Sequence, residues 1–312
     1  MIPSEDRREH MSVTVKVRVP GTTANCGPGF DAVGIACTIY NELELTLSKQ
    51  GSLVIEVIGE GKEIIPTDEK NIVWQVIQIL FKKIGKDYQG IHIKMVNQIP
   101  LSRGLGSSAA AIVAGLVAAN AATGHVLSND DLLDIATAIE GHPDNVAPAL
   151  FGGITTSIMQ GEQARYLRFI PPKKLSMVVA IPDFNLSTHE ARQVLPQSIP
   201  FEDAVFNISR TALVIGALCQ GEFHHLRYAL EDKIHQPYRQ HLIPGMQQVF
   251  DSAIEKGALG VAISGAGPCL IAFAQDRCDE IGAGMVQTFA SNQIKASYLV
   301  LDIDTEGAKI II

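Results

Sequence analysis

The chain has 312 residues, 46% hydrophobic and 19% charged, enough to bury a substantial core and better suited to two domains than to one. A formal charge of −8 argues against broad non-specific binding to nucleic acid or anionic lipid, while leaving room for a local anion pocket. The five cysteines include no CxxC, so neither a disulfide scaffold nor a thiolate zinc centre is indicated, and buried free thiols in the reducing cytoplasm are expected.

Residues 1–10 lack the apolar core of a signal peptide. Residues 1–12 are expected to form a disordered extension, with Met1 and Met11 both open as starts. Residues 13–19, VTVKVRV, alternate with the period of a half-buried strand. The next stretch, PGTTANCGPGF at 20–30, reads as a loop of restricted shape because of its three glycines and two prolines. Strands at 35–47 and 51–61 complete an antiparallel N-terminal sheet. Val73, Val76, Ile77 and Leu80 share one face of a helix over 71–84, and 90–100 is a strand. An alanine-rich helix over 107–122 permits close packing, and its greasy run is too short to span a membrane. Ser128 with Asp131 forms a capping box ahead of a helix that Gly141 ends. Residues 141–158 read as loop, short apolar segment and strand, and 174–184 as a strand closed by Pro182. The domain boundary is expected between 155 and 175, dividing 13–165 from 166–312. Helices over 201–218, 222–233 and 245–257 follow, then strands at 259–264 and 269–274, a helix over 276–290 and a strand over 296–302. Helices and strands without a steady βαβ alternation indicate α+β layers.

The stretch PLSRGLGSSAAAIVAGLVAAN, residues 100–120, sets two glycines and two serines directly ahead of the alanine helix. It fits the dinucleotide fingerprint poorly, having no acidic residue about 20 positions on, and no lysine follows for a Walker A loop. The physics of both loops survives. Gly104 and Gly106 let the backbone turn without a side chain in the way, and the free amides and dipole of a helix end attract anions. A serine cap with turn glycines is the competing reading, but two of each exceed what a cap demands.

Residues 100–109 match throughout P-x-x-x-G-L-G-S-S-A, the second motif of the kinase superfamily named for galactokinase, homoserine kinase, mevalonate kinase and phosphomevalonate kinase (GHMP). PGTTANCGPGFDAVG at 20–34 resembles the first motif of its homoserine kinase branch, and ISGAGPCLIAF at 263–273 resembles the glycine-rich third motif. EGHPDNVAPALFGG (140–153) and LSTHEARQVLP (186–196) are similar to the same branch, so the likeness runs in order over 13–302. It implies a two-domain α+β GHMP kinase fold, a ribosomal protein S5 domain 2-like N-terminal domain joined to a ferredoxin-like C-terminal domain, with ATP between them. It also implies ATP-dependent phosphorylation of the L-homoserine hydroxyl, magnesium as cofactor, a homodimer, and no nucleic-acid or membrane partner.

The resemblance assigns residues as well. Pro100, Arg103, Gly104, Leu105, Gly106, Ser107 and Ser108 lie along the nucleotide, with Gly265, Ala266 and Gly267 near the same phosphates and Asn71 near adenine, where a helix cap is an equal reading. Glu140 and Ser107 are the magnesium ligands, hard oxygens of the kind the ion prefers. Asn25, Asp31, His142, Asn145, Thr188, Arg192 and Arg239 surround the amino acid. Arg192 and Arg239 suit its carboxylate, because a guanidinium fork meets two oxygens at once, and Asp31 suits its ammonium. Asn25 would take the hydroxyl end, and His142 either touches the substrate or orients its neighbours. No lysine sits beside the first two motifs to pair with a catalytic aspartate, so transition-state stabilisation without a dedicated base is expected. Two other readings remain: a kinase of the same superfamily acting on mevalonate, shikimate or a nucleotide-linked polyol, and a catalytically silent protein that binds an anion or a partner in the same cleft.

Overall fold

The structure, a computed structural model, describes residues 12–312, and the extension expected over 1–12 lies almost wholly outside them. Its backbone is two sheets. In strand β1 (Val13–Ala24) the valines at 15, 17 and 19 are buried while Lys16 and Arg18 are half-exposed, as the alternation requires. β1 pairs antiparallel with β2 (Val33–Ser48), and β2 pairs with β4 (Gly90–Asn97) in the same sense. Strand β3 (Leu53–Gly59) runs parallel to β4, so the sheet is mixed and not antiparallel throughout. The cause is helix α1 (Ile72–Ile84), which carries the chain back to the same end before β4 starts.

Two expectations for loops fail, both through proline. Residues 20–24 continue β1 beyond a register shift between Pro20 and Gly21, where a bulge absorbs the missing donor. Residues 143–151 form helix α4 (Pro143–Phe151), with Pro143 in the first turn, where its lost N–H has no helical partner anyway. Strands β5 (Ile154–Gln160) and β6 (Gln163–Phe169) form a hairpin, and β6 escapes sequence reading because it is mostly exposed and lacks an apolar face. Helix α2 (Ser107–Ala122) is buried on nearly every side and packs on α1 so closely that a side chain at Gly115 would meet the Val73 carbonyl at 3.3 Å. Helix α3 (Asn129–Glu140) carries the expected capping box at Ser128 and Asp131 and ends at left-handed Gly141.

The second sheet is antiparallel, in the order β10 (Ala296–Asp302), β7 (Ser176–Pro182), β9 (Leu270–Ala274), β8 (Gly260–Ile263). Alternate residues face two different cores. Val178, Ala180, Leu270 and Ala272 pack with helices α9 (Met246–Glu255) and α10 (Cys278–Ser291). Met177, Val179, Ile271 and Phe273 belong to one apolar body with Leu45 and Ile93 of the first sheet. The chain then returns as β11 (Lys309–Ile310), which pairs with β1.

Between β7 and β8 the chain forms α5 (Thr188–Gln193), α6 (Phe201–Gln220), the single turn α7 (Leu226–Ala229) and the short α8 (Gln236–Arg239) before α9. The helix expected over 222–233 is only a 3-10 turn (Phe223–His225) followed by α7. It stops because the Asp232 carboxylate takes the backbone N–H groups of Ile234, His235 and Gln236. Cys26, Cys37 and Cys269 are buried, whereas Cys219 is exposed, contrary to expectation.

Candidate active site

A cleft of about 200 Å³ lies where the two halves meet. Three glycine-bearing loops build its floor and are tied to one another. The Thr22 N–H donates to the Leu105 carbonyl (3.0 Å), Gly265 N–H to Ala24 (3.1 Å) and Cys269 N–H to Arg103 (3.2 Å). Ser264 Oγ donates to the Gly104 carbonyl at 2.6 Å. No side chain fits at the turn itself: a Cβ on Gly104 (φ +80°) would lie 2.1 Å from the Ser264 carbonyl oxygen, and one on Gly106 (φ +68°) 1.9 Å from Thr22 Oγ1.

Gly106 is the N-cap of α2, and neither serine caps the helix. The N–H groups of Ser107, Ser108 and Ala109 have no partner among the described residues, and the first helical bond runs from Ala110 to the Gly106 carbonyl. Between a capped turn and an anion site, the geometry favours the second, since a free helix end carries partial positive charge. Gly104 to Ser108 all line the cleft, with Pro100 and Arg103 at its edge and Gly265, Ala266 and Gly267 across from them.

Asn71 does not join them. It is wholly buried, its Oδ1 accepts from Val73 N–H (2.9 Å) and its Nδ2 donates to the Pro66 carbonyl (2.7 Å), so it is the cap of α1 and lies outside the lining of the cleft.

Glu140, the last residue of α3, reaches the cleft partly buried. Ser108 Oγ donates to Glu140 Oε2 at 3.0 Å, and Ser107 lines the same cleft. Burial pushes the Glu140 carboxyl up, with a smaller push from Asp144, against the lowering effects of His142 and the Ser108 bond. His142 sits one residue past Gly141 and pairs through Nδ1 with the buried Asp144 carboxylate. Burial disfavours the imidazolium, but the Asp144 bond and the charges of Asp31 and Glu140 outweigh it and raise the His142 pKa. Asn145 is held in place: its Oδ1 accepts from Thr22 Oγ1 (2.8 Å) and its Nδ2 donates to Asp144 (3.3 Å).

The opposite wall carries the arginines. Thr188 and Arg192 share a face of α5, whose start is fixed by a capping box of Ser187 and Glu190. Arg192 makes a two-pronged ion pair with Asp31, 2.7 Å from Nη2 to Oδ1 and 3.1 Å from Nη1 to Oδ2. The two residues expected to read opposite ends of a zwitterion therefore hold each other in the free protein. Asp31 projects from left-handed backbone (φ 55°), following Asn25 (φ 71°), Cys26 (φ 43°) and Gly27 (φ 69°) in the same loop. Asn25 is less available than expected, since its Nδ2 donates to the Gly265 carbonyl (2.8 Å) and its Oδ1 accepts from Asp31 N–H (3.0 Å). Arg239 is almost fully buried, and burial together with Arg192 pushes its pKa down to about 10, still a cation at neutral pH.

Two residues inside the quoted motifs had no role assigned from sequence: Ser264, which locks the second and third loops, and Phe30, whose ring centroid lies 5.4 Å from the guanidinium carbons of both Arg192 and Arg239. Asp31, His142 and Asp144 bring their ligand atoms within 4.8 Å of one another. The ion pairs to Arg192 and between His142 and Asp144 already occupy that cluster.

Family models described as the GHMP kinases N-terminal domain and the GHMP kinases C-terminal domain match residues 71–153 and 214–290. The chain is 46% identical over 294 residues to a homoserine kinase of Carboxydothermus hydrogenoformans, covering 94% of this chain and 96% of that one. It is 45% identical to a homoserine kinase of Moorella thermoacetica, covering 95% and 99%. The chain belongs to the homoserine kinase family of the GHMP kinases. Its fold is that family's too: a crystal structure of homoserine kinase from Cytophaga hutchinsonii superposes with a TM-score of 0.88 at 32% identity, covering 96% of this chain and 97% of that one. The α+β GHMP fold expected from the motifs is thereby borne out. No helix among the described residues is long and apolar enough to cross a membrane.

Proposed function

We propose that this protein is a homoserine kinase, transferring the γ-phosphoryl group of ATP to the side-chain hydroxyl of L-homoserine and releasing ADP and O-phospho-L-homoserine. One observation carries the reading: the uncapped N-terminus of α2 faces the same cleft as Arg192, Arg239 and Asp31. A single cavity thus offers donors for phosphate beside a matched set for a zwitterion. The family's named activity, held by relatives that align over nearly the whole chain, agrees with it.

The hydroxyl oxygen attacks the γ-phosphorus in line as the bond to the β–γ bridging oxygen breaks, and the hydroxyl proton leaves to phosphate or solvent. The free N–H groups at 107–109 meet the phosphoryl charge, a role for which rigid, unspent donors are best suited. Arg192 and Arg239 take the carboxylate and Asp31 the ammonium, so the substrate exchanges one ion pair for two. Asp144 fixes the His142 ring through Nδ1 among the groups that line the cleft. The adenosine end would lie toward an adjoining hollow that shares Pro100 and Arg103 with the cleft and is walled by Ile64, Leu101 and Ile181.

Magnesium suits the residues present, because Glu140 and the hydroxyls of Ser107 and Ser108 supply hard oxygen donors at the helix end. When bound, the ion neutralises phosphate charge as the β–γ bond breaks. The absence of any disulfide among the five cysteines supports cytoplasmic action. A homodimer rests on the family likeness alone, and light scattering of the purified protein checks it.

The deciding experiment is ADP release with Mg2+ and ATP, measured in parallel with L-homoserine, mevalonate and shikimate. Turnover with homoserine alone is expected; turnover that favours mevalonate or shikimate, or none above the alcohol-free rate, overturns the reading.

A further inference from the structure

We infer that His235 is a positioning residue that sets Arg239 for the substrate carboxylate, an inference that rests on the homoserine kinase reading above. His235 is fully buried, and its two ring nitrogens have partners that fix its chemistry. Nε2 lies 2.7 Å from the Gly27 carbonyl, which can only accept, so that nitrogen carries the hydrogen. Nδ1 lies 3.2 Å from Arg239 Nη1, which can only donate, so Nδ1 is bare. The ring is thus neutral in a single tautomer, with a donor toward the first-motif loop and an acceptor toward the arginine.

That acceptor is one of three that hold the guanidinium. Arg239 Nε donates to the Ala191 carbonyl on α5 at 3.1 Å, and Nη1 also donates to the Gly265 carbonyl of the third motif at 3.1 Å. Nη2 has no protein partner among the described residues, and Arg239 lines the cleft. Nε and both Nη1 hydrogens are spent on positioning, and the two Nη2 hydrogens are left for a ligand. A neutral acceptor matters here. A carboxylate in the place of the imidazole would neutralise the guanidinium that a substrate carboxylate must find charged.

His235 is itself anchored. Asp232 Oδ2 accepts from the N–H groups of His235 (2.9 Å) and Gln236 (2.6 Å), while Oδ1 accepts from Ile234 N–H (3.0 Å) and from Asn207 Nδ2 of α6 (2.6 Å). Asn207 Oδ1 in turn accepts from Lys233 N–H (2.9 Å), so α6 fixes the whole turn that presents the imidazole.

The test uses three substitutions of the full-length protein. His235→Asn keeps an acceptor near the Nδ1 position, His235→Gln keeps a donor near the Nε2 position, and His235→Leu keeps neither. Homoserine KM is expected to rise about tenfold or more in the Gln and Leu variants, with kcat and the ATP KM within about threefold of the parent, as for lost ground-state binding. In His235→Asn the homoserine KM stays within about threefold of the parent. Equal effects of Asn and Gln, or a loss shared by kcat and both KM values, overturn the inference by making the residue merely structural. If the Leu variant does not fold, the Asn and Gln pair still decides. Failure of the parent protein to phosphorylate homoserine sinks the functional reading instead, and parent turnover with no Asn–Gln difference sinks this inference alone.

Discussion

Helices α2 and α3 begin in opposite ways. At α3, Ser128 Oγ accepts from Asp131 N–H (3.2 Å) while the Asp131 carboxylate accepts from Ser128 N–H (3.0 Å), so two orphan donors are satisfied within the chain. At α2, the residue before the helix is a glycine with no side chain to offer, and the serines that follow leave the leading N–H groups alone. The sequences look alike at first sight, since each start has a serine beside polar neighbours. The difference lies in which position the serine holds. At the N-cap it stabilises the helix, and one residue later it stands beside donors that a ligand must fill.

Substitutions that force the two starts to behave alike break or sharpen this contrast. The largest effect is expected from Gly106→Ala, because the added Cβ would collide with Thr22 Oγ1 at 1.9 Å in a left-handed turn (φ +68°). A fall in kcat/KM of about a hundredfold or more is expected, with ATP binding by calorimetry lost in parallel. Retention of ATP affinity within about threefold means the bare helix end is not the phosphate site. Glu140→Gln keeps the shape and the Ser108 bond but removes the charge, and should lower kcat at fixed Mg2+ by about tenfold to a hundredfold. Raising Mg2+ should recover part of that loss. Arg192→Lys keeps a charge and loses the two-pronged geometry, so homoserine KM should rise about tenfold with the ATP KM unchanged.

The smallest effect falls at the other helix. Ser128→Ala should cost about 1 kcal/mol of stability by chemical denaturation and leave both KM values and kcat alone. Its pH dependence has a defined sign. The Ser128 hydroxyl and backbone N–H hold the Asp131 carboxyl below its ordinary 3.8, so the cap's contribution is present above that pH. The carboxylate's share fades as the pH falls through the depressed value, so the gap between the parent and Ser128→Ala should narrow in acid to what the Ser128 Oγ bond with Asp131 N–H supplies. A gap that does not narrow there, or a kinetic change at neutral pH, removes the distinction between the two starts.

Much of this was legible in the sequence where local rules and tertiary structure agree. The alanine run over 107–122 became a helix with the expected bounds, and Ser128, Asp131 and Gly141 marked both ends of α3 as they should. Prolines misled at 20–24 and 143–151, because a bulge and a first helical turn both tolerate a residue without an N–H. The candidate site was legible where it follows contiguous motifs, and all its nominated residues except Asn71 line one cleft. What stayed hidden depends on partners distant in the chain. The Asp31–Arg192 pair joins residues 161 positions apart, Asn25 bonds to Gly265 across 240, and His235 reaches Gly27 across 208. No spacing rule announces such contacts, and they decide which nominated side chains are free to act.

The apolar body shared by the two sheets bears on how a nucleotide gets in and out. Leu45 and Ile93 of one sheet and Met177, Val179, Ile271 and Phe273 of the other belong to a single buried cluster, so wedging the halves apart would open that cluster to water. At about 25 cal/mol for each Å² of newly wetted hydrocarbon, a jaw-like gape through the cluster costs far more than shifting the short α5 segment. Traffic through this enzyme is therefore a matter of local doors on a stiff frame, and the frame should melt as one cooperative unit in calorimetry.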